Sequence, residues 1–177
     1  MKVDLTGKSA LVTGGGTGIG KAVALTLAAA GADVALTYNS HDGEAVAAAL
    51  RDSGREGLAY KLDAADSSQV DRVVDDAASQ FGKLDIIVNN AGGLISRKSV
   101  AEMSDAHWHQ VINLNLSSVF YVCRAALRHL SDNGRIITVS SLAAHNGGGA
   151  GASAYAAAKA GIHGFCRALA KDLGPRG

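Results

Sequence analysis

The chain has 177 residues, of which 47% are hydrophobic and 19% are charged, and its formal net charge is +1. This length and composition predict one domain, spanning residues 1–177, with a sizeable buried core. The nearly balanced charge excludes a strong electrostatic attraction to nucleic acid or to a membrane surface.

Five short apolar runs alternate with amphipathic stretches along the chain and predict an α/β fold. The runs are residues 10–12, 34–36, 58–60, 86–88 and 136–139. None alternates cleanly with polar residues, so we expect strands that are covered on both faces. The order βαβαβαβαβα predicts a doubly wound parallel sheet with right-handed crossovers. For such a sheet we expect the strand order 3-2-1-4-5.

Three helical stretches carry apolar residues at helical spacing. Two are ordinary stripes, formed by Val70, Val73, Val74, Ala77 and Phe81 and by Ile162, Phe165, Cys166, Leu169 and Leu173. The third, residues 111–130, is apolar around most of its circumference, which indicates burial on more than one side. Neighbouring helices of the same chain would cover it, or a second subunit would. The second alternative predicts a homo-oligomer that associates through the long helices.

A glycine-rich loop follows the first strand and opens a helix. It reads Thr13-Gly14-Gly15-Gly16-Thr17-Gly18-Ile19-Gly20, and this context is typical of a dinucleotide-binding fingerprint. Gly14 would allow the tight turn, Gly18 would let the backbone approach a phosphate, and Gly20 would let the helix pack on the strand. The free N–H groups at the start of the helix would face the pyrophosphate. A tight turn that binds no ligand stays open as the alternative.

Tyr155 and Lys159 lie four residues apart in a helical stretch. At this spacing the two side chains share one face of the helix, about one turn from each other. An ammonium group near a phenol favours the phenolate form. The pair would therefore give or accept a proton near neutral pH.

These motifs, taken together and in this order, identify a family. They are Thr13-Gly14-x3-Gly18-Ile19-Gly20, Asn89-Asn90-Ala91-Gly92 after the fourth strand, Asn115, Ser141 at the end of the fifth strand, and Tyr155-x3-Lys159. Over essentially its whole length the chain resembles the short-chain dehydrogenase/reductases, which have a Rossmann-like fold. Residues 115–120 and 155–161 are most similar to the branch that contains the 3-oxoacyl-[acyl-carrier-protein] reductases.

The resemblance implies a catalytic role for four residues. Tyr155 would be the general acid in carbonyl reduction, and Lys159 would hold the ribose hydroxyls of the nicotinamide and favour the phenolate of Tyr155. Ser141 would donate a hydrogen bond to the substrate carbonyl as negative charge develops there, with Ser140 as a competing candidate. Asn115 would hold a water that links Lys159 to solvent, or it would only satisfy backbone groups at a break in the helix.

The same resemblance implies a set of cofactor-binding residues. Asp63, just past the third strand, would accept a hydrogen bond from the adenine amino group, unless its carboxylate only caps a helix. Asn90 and Ala91 would line the cofactor. The full predicted set is Gly14, Gly16, Thr17, Gly18, Ile19, Gly20, Asn39, Asp63, Ala64, Asn90, Ala91, Gly92, Tyr155 and Lys159.

The end of the second strand favours NADP over NAD. An acid there would bind the ribose 2′-hydroxyl and repel a 2′-phosphate, but residues 37–41 read Thr-Tyr-Asn-Ser-His. This segment contains no arginine either, and Thr17 occupies a loop position that is basic in many NADP-preferring relatives. The phosphate would rely on Asn39, Ser40, backbone N–H groups and His41, and NAD stays open as the alternative.

The remaining polar residues predict no metal site. Cys123 and Cys166 fall in apolar helical patterns and are expected to be core residues in a reduced compartment. Residues 1–4 lead directly into the first strand without a signal peptide, and no apolar run is long enough to span a bilayer. The default expectation is therefore a cytoplasmic protein.

His145 and the glycine-rich residues 146–151 lie between Ser141 and Tyr155, and we expect a mobile loop that borders the substrate.

The sequence ends where the family continues. In the family a sixth strand, a substrate lid and a seventh strand follow at about this point, so we expect a chain truncated before strands 6 and 7. Two functions then stay open. One is an NADP-dependent carbonyl reductase, or ketoreductase, with a small-molecule or acyl-thioester substrate. The other is a catalytically idle nucleotide-binding module.

Overall fold

The computed structural model describes residues 3–176; Met1, Lys2 and Gly177, the ends of the predicted 1–177 domain, lie outside the described residues. Five parallel strands form one sheet in the order β3-β2-β1-β4-β5, which confirms the predicted fold class and strand order. The strands are β1 (Ser9–Val12), β2 (Asp33–Tyr38), β3 (Gly57–Lys61), β4 (Leu84–Asn89) and β5 (Leu130–Thr138).

Seven α-helices are described, and most of them connect the strands. They are α1 (Gly18–Ala29), α2 (Glu44–Asp52), α3 (Ser67–Phe81), α4 (Asp105–Ile112), α5 (Ser118–Ala126), α6 (Ala143–Asn146) and α7 (Ser153–Leu173). A π-helical turn, Asn113–Ser117, joins α4 to α5, and a 3-10 turn, Gly174–Arg176, follows α7. Within residues 3–176, no helix is long and apolar enough to cross a membrane.

Both faces of the central strands are buried, as a parallel sheet requires. On one face Leu11 and Ile87 pack with Val70 and Val74 of α3 and with Val122 of α5. The opposite face packs against α1 and α2 through Ala10, Val12, Val34, Leu36, Ala24, Ala28, Val46 and Leu50. Burial of each Leu, Ile or Val side chain contributes about 1.5–3 kcal/mol, so this double layer fixes the strand ends against one another.

Helix α3 forms where the first apolar stripe predicts it. Val70, Val73, Val74 and Ala77 are buried in it. Asp66 caps its start by accepting hydrogen bonds from two backbone N–H groups, and Gly82 ends it with a φ of 77°. The polar cap and the left-handed terminal residue are the usual signals for these two boundaries.

The apolar stretch 111–130 is not one helix, and this part of the prediction is wrong. The helix ends at Ala126, and Leu130 begins β5, where it pairs with Leu84 of β4. The N–H of Leu84 donates to the carbonyl of His129 at 3.0 Å. Leu130, the last apolar residue of the predicted helical pattern, therefore belongs to the sheet and not to a helix.

Helix α7 of the same chain covers one of the apolar sides of α5. Val119 and Cys123 form a buried cluster with Ile162, and Phe165 packs against this cluster. The ring of Phe120 makes an edge contact with that of Phe165, at a centroid distance of 6.4 Å, and is 44% exposed. Covering by the chain itself accounts for part of the apolar surface, and association through the rest stays a prediction.

Strand β5 lies at the edge of the sheet that residues 3–176 form. Residues 136–138 of the predicted run 136–139 belong to its second half, and Val139 follows the end of the strand. The strand begins six residues before the run, at Leu130. The register shifts between Leu84 and Ile86, opposite Leu130 and Arg135. Ile137 is 51% exposed on this strand.

Candidate active site

The glycine loop is held in place by the two strands that flank β1. From β2, Thr37 accepts hydrogen bonds from the N–H of Gly14 at its hydroxyl (3.2 Å) and from the N–H of Gly15 at its carbonyl (2.8 Å). From the end of β4, the side-chain amide of Asn90 donates to the carbonyls of Thr13 (3.0 Å) and Gly14 (3.2 Å). Four hydrogen bonds therefore connect the loop to residues of β2 and to the residue after β4.

Three glycines of the loop have no room for a side chain, among them Gly15, where a Cβ would lie 2.6 Å from the Cβ of Leu36. Gly14 has a φ of 65°, and a Cβ there would lie 3.0 Å from Nδ2 of Asn90. A Cβ on Gly20 would overlap the carbonyl oxygen of Gly14 and lie 2.5 Å from the same nitrogen. Gly20 thus allows α1 to approach the loop closely, and helix α1 begins directly beside the turn.

The start of α1 presents backbone N–H groups toward the loop. Thr17, at the cap position, has an extended backbone, and no described side chain caps the helix. There is no acidic residue in the first turn of α1. Uncapped N–H groups and the positive end of the helix dipole are suited to an anion, and the phosphates of a dinucleotide fit this chemistry.

A cleft of about 650 Å³ runs along the carboxyl ends of the strands. Its volume falls in the range of small-molecule and cofactor sites. Residues that follow each of the five strands contribute to it. The lining residues are Gly14, Gly16, Thr17, Gly18, Ile19, Thr37, Tyr38, Asn39, Ser40, His41, Leu62, Ala64, Asn90, Ala91, Gly92, Leu114, Val139, Ser140, Ser141, Tyr155 and Lys159.

Tyr155 and Lys159 lie one turn apart at the start of α7, and both line the cleft. Nζ of Lys159 lies 5.9 Å from the centre of the Tyr155 ring. The ammonium is buried and donates a hydrogen bond of 2.9 Å to the carbonyl of Val139. Burial lowers the pKa of Lys159 from its ordinary value, because the charged form loses hydration. The positive charge is thus held close to the phenol at a fixed place.

The two serines at the end of β5 differ in their hydrogen bonds. The Ser140 hydroxyl donates to the carbonyl of Lys159 at 3.0 Å. The Ser141 hydroxyl instead accepts a hydrogen bond of 3.2 Å from the N–H of Ala143. The proton of Ser141 therefore stays available for a carbonyl oxygen in the cleft, whereas the proton of Ser140 is used inside the fold.

Asn115 is fully buried in the π-helical turn and does not line the cleft. Its amide donates to the carbonyls of Gly93 and Val111, both at 2.9 Å, and its Oδ1 accepts from the N–H of Gly93 at 2.9 Å. The side chain is thus occupied by backbone groups. Gly92 lies directly against it, because a Cβ there would be 2.7 Å from Oδ1 of Asn115 and 3.2 Å from Nζ of Lys159.

The far end of the cleft is formed by the residues after β2 and β3. Asn39, Ser40 and His41 line it, and the Ser40 hydroxyl lies 3.3 Å from Nδ1 of His41. The next residue, Asp42, is acidic, but its Oδ1 accepts from the N–H groups of Glu44 and Ala45 at the start of α2. The carboxylate is therefore engaged outside the cleft lining.

Most of the predicted site residues converge on this one cleft, and three do not line it. Gly20 packs beneath the glycine loop, and Asn115 lies behind Gly92. Asp63 is exposed, and its Oδ1 accepts from the N–H of Ala65 at 2.9 Å, while Asp66 caps α3. The sequence analysis missed Leu114, Val139 and Thr37 in this region. The only indication in the sequence that Thr37 lies at this site is its position near the end of β2.

The segment between Ser141 and Tyr155 is more ordered than predicted. Residues 143–146 form the short helix α6, and several hydrogen bonds hold the glycines that follow. His145 contacts the ring of His163 at a centroid distance of 5.0 Å. Within residues 3–176, no three side chains of His, Cys, Asp or Glu cluster in a way that would hold a metal ion.

Comparison with known proteins agrees with this geometry. Residues 8–177 match the family model described as short chain dehydrogenase. The 3-oxoacyl-[acyl-carrier-protein] reductase FabG of Escherichia coli (strain K12) is 42% identical over 179 residues, which cover 99% of this chain and 71% of FabG. The chain spans 64% to 71% of the length of eight curated relatives that include FabG.

Two solved structures extend the comparison. A short chain dehydrogenase from Burkholderia cenocepacia J2315, solved in complex with NADP, superposes with a TM-score of 0.94 at 44% identity and covers 98% of this chain and 71% of that one. The NADH-dependent reductase A1-R′, responsible for alginate metabolism, has a TM-score of 0.92 at 34% identity, with 97% and 74% covered. The fold is therefore shared by proteins that differ in their named cofactor.

Proposed function

Since the chain belongs to the short-chain dehydrogenase/reductase family, we propose that it is an oxidoreductase that transfers hydride between NADP(H) and a carbonyl compound or secondary alcohol. The observation that carries the proposal is the convergence of Tyr155, Lys159 and Ser141 with the glycine loop around one cleft. All five described strands belong to one sheet, which supports a single dinucleotide-binding and catalytic domain over residues 1–177.

The chain would contribute proton transfer and charge stabilisation. When bound, the nicotinamide supplies or accepts the hydride. Ser141 would donate its free proton to the carbonyl oxygen of the substrate, where negative charge grows during reduction. Tyr155 would then give its hydroxyl proton to that oxygen. The buried ammonium of Lys159 favours the phenolate that remains.

The adenosine end supports NADP as the cofactor, with NAD as the alternative. The carboxylate of Asp42, the nearest acid after β2, is turned toward α2. Asn39, Ser40 and His41 would therefore meet the 2′-phosphate without a facing carboxylate. Gly14, Gly16, Thr17, Gly18 and Ile19 would contact the pyrophosphate, and Ala64, Asn90, Ala91 and Gly92 would line the rest of the cofactor, with Asp63 near the adenine.

The substrate is proposed as a small carbonyl compound, with a 3-oxoacyl thioester as the finer candidate. The similarity to FabG supports this finer choice. Leu142, which follows Ser141, is 72% exposed, and Ile95 is 44% exposed in the segment after Gly93. The exposed apolar side chain of Leu142, directly after the proposed catalytic serine, would suit an acyl chain. The exposed ring of Phe120 on α5 supports association of the protein as a homo-oligomer through its long helices.

A second function, a nucleotide-binding module without catalysis, is favoured by one observation. The chain spans 71% of FabG, and β5 lies at the sheet edge of the described residues, next to Ser140 and Ser141. A strand without an outer neighbour would hold its catalytic end less firmly. In this alternative the glycine loop binds the adenosine half, and hydride transfer is lost.

The test combines cofactor titration with turnover. We expect NADPH to bind more tightly than NADH by cofactor fluorescence, and Asn39→Asp to reverse this order by repelling the 2′-phosphate. Tyr155→Phe should keep NADPH binding and lower kcat on a ketone about 10² to 10⁴-fold. Tyr121→Phe, on α5 outside the cleft lining, is the matched control. Binding of NADPH without turnover by the unaltered chain would favour the idle module, and unchanged kcat in Tyr155→Phe would contradict the catalytic assignment.

A further inference from the structure

Four consecutive carbonyl groups lie in the loop that joins α6 to α7, and each has a hydrogen-bond partner. Nη1 of Arg97 donates to the carbonyls of Gly148 (3.2 Å) and Ala150 (2.8 Å). The N–H of Lys98 donates to the carbonyl of Gly151 at 3.0 Å, and the carbonyl of Gly149 accepts from Ala152 at 3.2 Å. Three of these four hydrogen bonds therefore come from residues 97–98, in the segment after β4.

The loop has little conformational preference of its own. Gly147, Gly148, Gly149 and Gly151 all have positive φ values, of 82°, 71°, 80° and 74°. Glycine loses more conformational freedom on folding than any other residue, so contacts from outside the loop have to select this one conformation. Arg97 supplies a charged donor that meets two carbonyls at once, and hydrogen bonds from charged donors are the stronger ones.

The backbone at Gly151 lies in close contact with Arg97 and Lys98. A Cβ on Gly151 would lie 2.9 Å from the Cβ of Arg97 and 3.1 Å from the N of Lys98. The absence of a side chain at residue 151 lets the two segments touch. On the other side of the loop, a Cβ on Gly148 would lie 2.8 Å from the Cβ of Ala143 in α6. The loop is thus packed between α6 and the segment that carries Arg97.

The loop connects the two residues on which the proposed chemistry depends. Ser141 precedes α6, and Tyr155 lies in the first turn of α7, three residues after the buried Ala152. The N–H of Ala156 donates to the carbonyl of Ala152 at 2.8 Å, so the start of α7 follows the end of the loop directly. A shift of about 1 Å in a reacting group can cost about 100-fold in rate.

We infer that Arg97 is a positioning residue. Its hydrogen bonds to Gly148 and Ala150, which we call the clasp, hold residues 147–151 in one conformation. The clasp thereby fixes the position of Tyr155, in the first turn of α7, relative to Ser141. Arg97 is exposed and does not line the cleft, so it acts through the loop and not on the substrate. This inference rests on the proposed function for its catalytic consequence. The clasp itself is independent of that function.

Amide hydrogen exchange tests the clasp. In Arg97→Ala we expect the amides of Lys98, Ala152 and Ala156 to exchange about 10- to 100-fold faster, because the loop loses two hydrogen bonds from a charged donor. The amide of Lys21, which donates to Thr17 at the glycine loop, serves as the internal reference. Arg97→Lys, which keeps a charged donor, should restore part of the protection. Arg72→Ala, an exposed arginine on α3 with the same charge loss, is the matched control.

Kinetics test the consequence for Tyr155. Arg97→Ala should lower kcat about 10- to 100-fold while the Kd for NADPH changes less than about twofold, and Arg97→Lys should recover part of kcat. A uniform loss of NADPH affinity and exchange protection throughout the chain would indicate a merely structural role and overturn the inference. Unchanged exchange at Lys98 and Ala152 would overturn it as well. Faster exchange in a chain that turns over no ketone would contradict the proposed function and support the clasp.

Discussion

The Ser140 hydroxyl and the Lys159 carbonyl are joined by a hydrogen bond of 3.0 Å, which links the end of β5 to the second turn of α7. The ammonium of the same lysine donates to Val139 at 2.9 Å. Two bonds between these segments fix the distance between the serines of β5 and the face of α7 that carries Tyr155. Because the Ser140 hydroxyl donates one of these bonds and the Ser141 hydroxyl donates neither, we expect the two neighbouring serines to have different roles.

Replacing each serine separately should distinguish those roles. Ser141→Ala should lower kcat about 10²- to 10³-fold, because a donor to the developing negative charge is lost, and should also lower the free energy of unfolding by about 1 kcal/mol, because the N–H of Ala143 loses its acceptor. Ser140→Ala should lower the free energy of unfolding by about 1 kcal/mol, because a hydrogen bond between β5 and α7 is lost, and should lower kcat less than Ser141→Ala does. Turnover with NADPH and urea unfolding measure the two effects. A larger kcat loss in Ser140→Ala than in Ser141→Ala would reverse the assignment.

The sheet and the gathering of most site residues were predictable for a simple reason. The carboxyl ends of parallel strands meet at one edge, so residues that follow β1, β4 and β5 have to converge there. Gly14, Asn90 and Ser141 each follow such a strand and line one cleft. The Tyr155–Lys159 pair follows from helical spacing alone. Each of these predictions depended on a short pattern in the sequence.

The features that sequence analysis missed depend on residues far apart in the chain. Arg97 reaches Gly148, 51 residues away, and no periodicity signals that contact. Leu130 continues a helical apolar pattern, and only its pairing with Leu84 places it in β5. The π-helical turn around Asn115 is also invisible to a helical period. It is stabilised by two hydrogen bonds between Asn115 and Gly93, one donated by each residue, and Gly93 belongs to another segment.

Because the ammonium of Lys159 is buried, the contribution of this lysine to the free energy of unfolding should depend on pH. Burial lowers its pKa below the ordinary value of 10.5, so in the window between the folded pKa and 10.5 the unfolded chain binds more protons than the folded chain. Stability contributed by Lys159 therefore rises with pH through this window, and the cost of the buried charge is fully present below it. Urea unfolding of the unaltered protein and of Lys159→Met from pH 7 to pH 10.5 measures the difference.

The control for this pH dependence is Lys171→Met, since Lys171 is exposed on the same helix. The difference between the unaltered protein and Lys171→Met should stay flat, whereas the difference for Lys159→Met should change in favour of the unaltered protein as pH rises. A constant difference for Lys159→Met across the range would contradict the effect of burial on this lysine.

Adjacent glycines after β4 offer a matched pair of substitutions. A Cβ at Gly92 would lie 2.7 Å from Oδ1 of Asn115, whereas nothing lies within 4 Å of a Cβ at Gly93. Asn115 cannot easily move, because its side chain makes three hydrogen bonds to the backbone. Gly92→Ala should therefore cost about 1–3 kcal/mol in the free energy of unfolding and should lower kcat by displacing Lys159. Gly93→Ala should change that free energy by less than about 1 kcal/mol; equal effects in the two variants would rule out the close contact.

The exposed edge of β5 should promote self-association of the chain. Ile137 is 51% exposed on this strand, and an exposed apolar side chain on an edge strand favours pairing with another chain. Ile137→Lys should place a charge on the edge and shift the protein toward the monomer in sedimentation velocity at micromolar concentration. Val100→Lys is the control, since Val100 is 76% exposed and lies outside the strands. If the association of the two variants equals that of the unaltered chain, the contact lies elsewhere, and Phe120→Lys on α5 would then test the helical surface. Loss of association in Ile137→Lys alone would identify the β5 edge as the contact, because the two lysine substitutions add the same charge and differ only in where they add it.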